Sequence, residues 1–258
     1  MASSGPESMR ALHARMAKLY RRTERRHLAT AEVHRLFGLR ATQNGQPGRD
    51  GATAFLAALA GLLDTTSVMV SLRTDRAIVA VAASDDIARK AHELEIVMAE
   101  GPVSEAARSG TPVLVAGNAL CERWPRYGPA VAGLGVTTVM AAPLGLADAR
   151  FGAMCALGRS AISDGVPVTL DGVARALTGI LLKGTVGEDS RDYSTLSQIG
   201  PIIAQDVVNQ AVGMVSVQCG CSIDAAADLL VARAFAEELP VADVATQVVS
   251  GRLLLADL

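Results

Sequence analysis

The sequence predicts an α+β fold, with a long N-terminal helix, an antiparallel sheet flanked by helices and a C-terminal module of three short helices. Three observations predict it. From Glu7 the chain meets no glycine or proline until Gly38, and good helix formers dominate that stretch. Between Gly51 and Gly184, β-branched runs alternate with helix-forming ones. After Gly200-Pro201, three helical patterns are separated by Gly220 and Pro240.

In the first helix, Met9, Leu12, Met16, Leu19 and Thr23 fall at alternating three- and four-residue steps, the spacing of one seam. The seam then meets Arg26 and shifts to Leu28, Val33, Leu36 and Phe37. Residues 41–51, with Asn44-Gly45, Pro47-Gly48 and Asp50-Gly51, read as a linker. An apolar helix follows over Thr53–Leu63, then a hairpin of 67–72 and 77–83 around Asp75-Arg76. Residues 85–98 read as a helix with Ile87, Leu94, Ile96 and Val97 as its apolar face. Pro102 suits a first helical turn, Gly110 stops that helix, and 111–116 form a strand. Residues 120–134 carry Trp124 and Tyr127. Two central strands, 135–144 and 150–158, turn at Ala147-Asp148, and 169–186 return to helix.

This order divides the chain into a basic helix and linker over residues 1–50, a sensor domain over 51–187, and a helical domain over 193–258, with the boundary in Gly187–Asp192. In the last domain, Ile202–Gln218 is read as a helix with Ile203, Val207, Gln210-Ala211, Met214 and Val217 at helical steps. Ser222 caps a second helix, 223–237, and a third spans 241–255.

Charge is distributed unevenly behind a net −2: residues 1–50 carry +6, 51–194 carry −3 and 195–258 carry −5. The cluster Arg21-Arg22-Thr23-Glu24-Arg25-Arg26-His27 reads as a solvated helix face or a partner for the acidic tail, ahead of a nucleic-acid contact. No run reaches the roughly 20 apolar residues that span a bilayer, so a cytoplasmic protein without a membrane partner is expected. Cys121, Cys155, Cys219 and Cys221 read as reduced thiols, and the Cys219-Gly220-Cys221 spacing is poor for a metal.

Phosphate-loop, Gly-x-Ser-x-Gly and His-Glu-x-x-His spacings are all missing from the sequence. His92 reads as a surface residue of its helix, and Glu100 and Glu105 lack a metal or substrate to serve. No catalytic residue, metal or cofactor is therefore expected, and the chain reads as a non-enzyme. Trp124, Tyr127, Met140, Met154 and Cys155 are the candidates for lining an apolar pocket over one sheet face, with a packed core as the alternative.

The stretch from about Gly51 to Gly184 resembles a GAF domain of the kind found in actinobacterial regulators. The resemblance is carried by Glu100-Gly101-Pro102 with Glu105-Ala106, Gly110-x-Pro112-Val113, Arg123-Trp124-Pro125, Gly135-Val136, Ala142-Pro143-Leu144 and Gly152-Ala153. It implies an antiparallel sheet flanked by helices, with a small-molecule or redox-sensing pocket on one face. Val103 stands where such domains often carry a cysteine, which rules out thiol sensing at that position.

The tail resembles an ANTAR domain, the three-helix RNA-binding module of transcription antitermination regulators. Val208-x-x-Ala211-x-Gly213-Met214-Val215, Cys221-Ser222-x-Asp224-x-Ala226, Leu230, Ala234 and Val244-Ala245 carry this second resemblance. It implies Ala211, Gly213, Arg233 and Arg252 as RNA-binding candidates. Val212, Ala227 and Val231 replace residues that are usually basic or aromatic in such modules. Phosphate neutralisation dominates RNA affinity, and Arg233 and Arg252 alone supply little of it.

The leading expectation is thus a signal-responsive regulator of transcription antitermination, binding an unknown small molecule and an RNA hairpin and acting as a homodimer. The alternative is a signalling or scaffold protein whose degenerate helical module pairs with itself or another protein, without RNA.

Overall fold

Alternation along strands and periodicity along helices divide the apolar residues among three cores. The computed structural model describes residues 6–43, 49–73, 78–146, 149–162, 165–184, 202–237 and 239–255. Among them, α1 (Pro6–Gln43) and α2 (Arg49–Leu62) precede an antiparallel sheet. Its strands are β1 (Ser67–Arg73), β2 (Ile78–Ala83), β3 (Val113–Ala116), β4 (Thr138–Leu146), β5 (Ala149–Gly158) and β6 (Ile202–Ala204), ordered β3-β4-β5-β1-β2-β6. Between β2 and β4 the chain forms α3 (Asp86–Met98), α4 (Pro102–Ser109), α5 (Ala119–Arg123) and α6 (Tyr127–Gly133), and α7 (Val166–Gly184) follows β5. The tail holds α8 (Gln205–Cys219), α9 (Ile223–Ala236) and α10 (Val241–Val249). The α+β class and its sheet flanked by helices stand as the sequence predicts.

Successive strand side chains point to opposite faces. Val68 and Val70, Met140, Ala142 and Leu144, and Met154 and Ala156 therefore pack with Ala29 and Val33 of α1, Leu56 and Leu59 of α2, Leu63 just after it, and Leu170 and Leu177 of α7. Met69, Val139, Ala141, Ala153, Cys155 and Leu157 face the other way, onto α3 to α6. Fully burying one such leucine stabilises by roughly 1.5–3 kcal/mol, so both faces of the sheet contribute to holding it.

The two halves of α1 differ. Ala29 and Val33 are buried against α7, and Thr30 Oγ1 donates to the Gly172 carbonyl. A Cβ on Gly172 would lie 2.7 Å from the Arg26 carbonyl oxygen, so glycine sets this close helix approach. Leu28, expected on the packed seam, is instead 63% exposed. Toward the N-terminus Met9, Leu12, Met16 and Leu19 are all exposed, one apolar stripe without cover among the described residues.

Several boundaries move. The linker narrows, because α1 runs to Gln43 and α2 starts at Arg49. Residues Ile202–Ala204 are a strand, not the start of a helix, pairing antiparallel with β2 as Ala82↔Ile202 and Ala80↔Ala204. In α8 the buried positions are Val208, Ala211, Val212 and Val215, while Val217 is 84% exposed and Gln210 is exposed, so the expected face is displaced. The last helix ends at Val249, before Gly251 at φ 72°. The turns at Asp75-Arg76 and Ala147-Asp148, the boundary at Gly187–Asp192 and the break at Gly200-Pro201 lie outside the described residues.

The helical module has its own core of Ala211, Val215, Leu230, Val244 and Val248, and it leans on α3. Val97 of α3 packs against that core, and the Glu93 carboxylate accepts the Val241 backbone N–H at the start of α10. Arg89 reaches Glu93 at 2.8 Å and Asp86 at 3.2 Å, which holds the carboxylate in place.

Candidate functional site

Three carboxylates organise the layer formed by α3 to α6. Glu95, almost fully buried in α3, accepts the backbone N–H groups of Val103 and Ser104, 3.2 Å and 2.6 Å away. It thereby serves the open N-terminus of α4, whose first-turn donors have no partner within the helix. Gly101 makes this approach possible, since a Cβ there would sit 2.6 Å from Glu95 Cγ. Glu100 does the same for α6, accepting from the N–H of Arg126 at 2.5 Å and of Tyr127 at 2.8 Å. Glu105 binds Arg123 and takes the Trp124 indole N–H at 3.0 Å. Each acid of the Glu-Gly-Pro segment is thus spent on positioning helices.

Trp124 and Tyr127 meet edge to face, ring centroids 5.8 Å apart, and Arg123 lies 5.9 Å above the indole. Both rings are buried. The Tyr127 hydroxyl has no hydrogen-bond partner among the described residues, and Cys155 and Glu95 are near enough to act on it electrostatically. Burial pushes the Tyr127 hydroxyl and the Cys155 thiol well above their ordinary ranges, the nearby Glu95 adding to both. A thiol so protonated is a poor nucleophile, so this sulfur acts as a small apolar group.

The five pocket candidates do not converge. Trp124, Tyr127 and Cys155 share the α3–α6 side, whereas Met140 and Met154 belong to the α1–α2–α7 side. Met154 and Cys155 are neighbours in one strand and so had to part, a signal already present in the sequence. His92 is buried at 1% exposure, not on the surface, because α3 is covered along the Ala88-Ala91-His92-Glu95 line. Sequence reasoning missed Glu95, whose ligands lie in another helix eight and nine positions away.

In the module, Ala211 is fully buried between helices and Gly213 half-buried on α8. Arg233 pairs with Glu237 at 2.6 Å, and Arg252 is exposed after α10. These four residues do not form one surface. Among the described residues no group of His, Cys, Asp and Glu could hold a metal, and no helix is long and apolar enough to cross a membrane.

No family model matches the chain, and no curated protein does. Among solved structures it is similar to the GAF domain of A. aeolicus nlh2 in an inactive state, at 12% identity and TM-score 0.42, covering 63% of this chain and 98% of that one. It is also similar to the GAF domain from Acinetobacter phosphoenolpyruvate-protein phosphotransferase, at 10% identity and TM-score 0.40, with 60% and 94% covered. A third is the phycocyanobilin-bound GAF domain from a cyanobacterial phytochrome, at 16% identity and TM-score 0.34, with 60% and 96% covered. These likenesses are too remote to carry an argument about this chain.

Proposed function

We propose that the chain is a signal-responsive regulator in which a GAF-like sensor domain controls an ANTAR-like helical module, and that the module acts in transcription antitermination by binding an RNA hairpin. One observation carries the coupling. Strand β6 belongs to the sensor sheet and runs directly into α8 of the module, so strain in the sheet reaches the module through continuous backbone. Glu93 at the start of α10 and Val97 in the module core add a second attachment. A small-molecule ligand is supported by the buried, unpartnered Tyr127 hydroxyl, since buried polar atoms are nearly always satisfied by something.

A second reading, a module that binds protein rather than RNA, draws on its charge and on Arg233. With Arg233 tied to Glu237, Arg252 is left as the cation of the module free of an acidic partner among the described residues. The homodimer belongs to either reading, supported by the exposed stripe Met9, Leu12, Met16 and Leu19. The test is binding of the full-length protein to a two-hexaloop RNA at low and moderate salt. Binding that weakens steeply with salt and falls several-fold in Arg252→Gln is expected. No binding even at low salt overturns the RNA reading in favour of the protein one.

A further inference from the structure

We infer that the cleft between α7 and the end of the β4–β5 hairpin is a binding site for a small organic carboxylate with an apolar body. It lies on the α7 side of the sheet, away from Tyr127 and Trp124. The inference gives the sensor reading above a ligand class, while the binding itself rests on the cleft alone.

The cleft exists because β3 is short. It pairs with β4 only from Thr138 to Ala141, so beyond Ala141 the β4 edge has no strand beside it among the described residues. Pro143 lies on that bare stretch, the place in a sheet where a residue without an N–H costs least. Alongside runs α7, and the space between measures about 490 Å³, within the roughly 300–1,000 Å³ usual for small-molecule sites. Pro112, Pro143, Leu146 and Ala174 give it apolar walls.

Its polar groups are few and convergent. The β4–β5 pairing shifts register at Leu144/Gly145, and the Gly145 N–H donates to Thr178 Oγ1 at 3.3 Å, which ties the hairpin end to α7. Only glycine fits at 145, where a Cβ would lie 2.4 Å from the Ala149 carbonyl oxygen. Opposite Gly145 in the register stands Arg150. Its guanidinium passes over Gly110, so close that a Cβ there would be 2.4 Å from Nη1. Gly110 itself sits at φ 71°, so glycine is favoured on both counts.

The charges leave one cation over. Arg175 is held by both oxygens of Asp171 at 3.1 Å, and Asp171 also faces Arg26 at 3.8 Å. Arg150 has no acidic partner among the described residues, although it lines the same cleft. A guanidinium fork beside apolar walls is matched by a carboxylate on an apolar body, with the Thr178 hydroxyl free to donate as well.

The experiment is calorimetric titration of the full-length protein with 1-naphthoate and with its neutral counterpart 1-naphthamide. Saturable binding of 1-naphthoate is expected, weakened about tenfold or more in Arg150→Gln and unchanged in Arg159→Gln, an exposed arginine outside the cleft. The amide should bind the wild type more weakly than the acid by a similar factor. Thr178→Val should weaken the acid several-fold, and this second variant keeps the charge intact. Equal affinity for acid and amide, no saturable binding of the acid, or an unchanged affinity in Arg150→Gln overturns the inference. Binding that follows these expectations but leaves RNA affinity untouched counts against the sensor reading and not against the site.

Discussion

Glu105 shows how a charged residue in the α3–α6 layer acts through its neighbours. The Arg123 hydrogen bond, above all, holds its carboxyl below the ordinary 4.5 against the burial penalty, with the Arg123 charge and the Trp124 N–H helping. A depressed folded-state pKa gives stability that is present above the unfolded value and lost as pH falls through the folded one. Wild-type stability should therefore drop more steeply below about pH 4.5 than that of Glu105→Gln. Urea unfolding at a series of acidic pH values checks this, and parallel curves would refute it. Glu93 has the opposite sign. Burial raises its carboxyl first, with Arg89 and the Val241 N–H pulling back. Local chemistry of this kind was only partly legible in the sequence. The Ser222 cap, which accepts from Ala225 N–H at 3.2 Å, could be read from adjacent residues. Glu100 serves a helix 26 and 27 positions away, and no local pattern announces that.

Among the elements, α1 is the least completed. Its C-terminal half is fixed by Ala29, Val33 and the Gly172 contact, while the N-terminal half offers an apolar stripe to water. Three- and four-residue steps of apolar side chains favour a partner helix. The double variant Leu12→Glu with Leu19→Glu should turn a dimer into a monomer while leaving the far-ultraviolet dichroism of the rest unchanged. Light scattering decides it, and a monomeric wild type at micromolar concentration would sink the dimer. Strand and helix type were otherwise legible where the period was long enough. The strands Thr138–Leu146 and Ala149–Gly158 could be placed, within a few residues, from their apolar runs and glycines, whereas the three residues of β6 are too few for any pattern to show. In α8 valines at 207, 208, 212, 215 and 217 offer two overlapping stripes. Only the packing partners α9 and α10 select the one through Val208 and Val215.

For the whole molecule, the attachment of the module to α3 decides how far the two parts move together. Val97 is half-buried against the module core, so Val97→Asp places a charge at that seam and should loosen it by about 1–3 kcal/mol. Faster hydrogen exchange at the Val241 amide, with the central sheet amides unchanged, is the expected reading. Uniform destabilisation of both parts would show instead that they unfold as one unit. A helical tail could be expected from the sequence, but its seam with α3 could not. It depends on β6 lying beside β2 and the start of α10 beside α3, contacts that join residues more than a hundred positions apart.

The place of β6 at the end of the sheet has one more consequence. It shields the outer backbone of β2, and lifting the module far enough to remove it would leave that row of amides and carbonyls open. The same three pairs could then be made by the β6 of another molecule with identical geometry. A chain built this way can exchange tails between copies without forming any new type of contact, so protein concentration and the ease of lifting β6 become linked quantities.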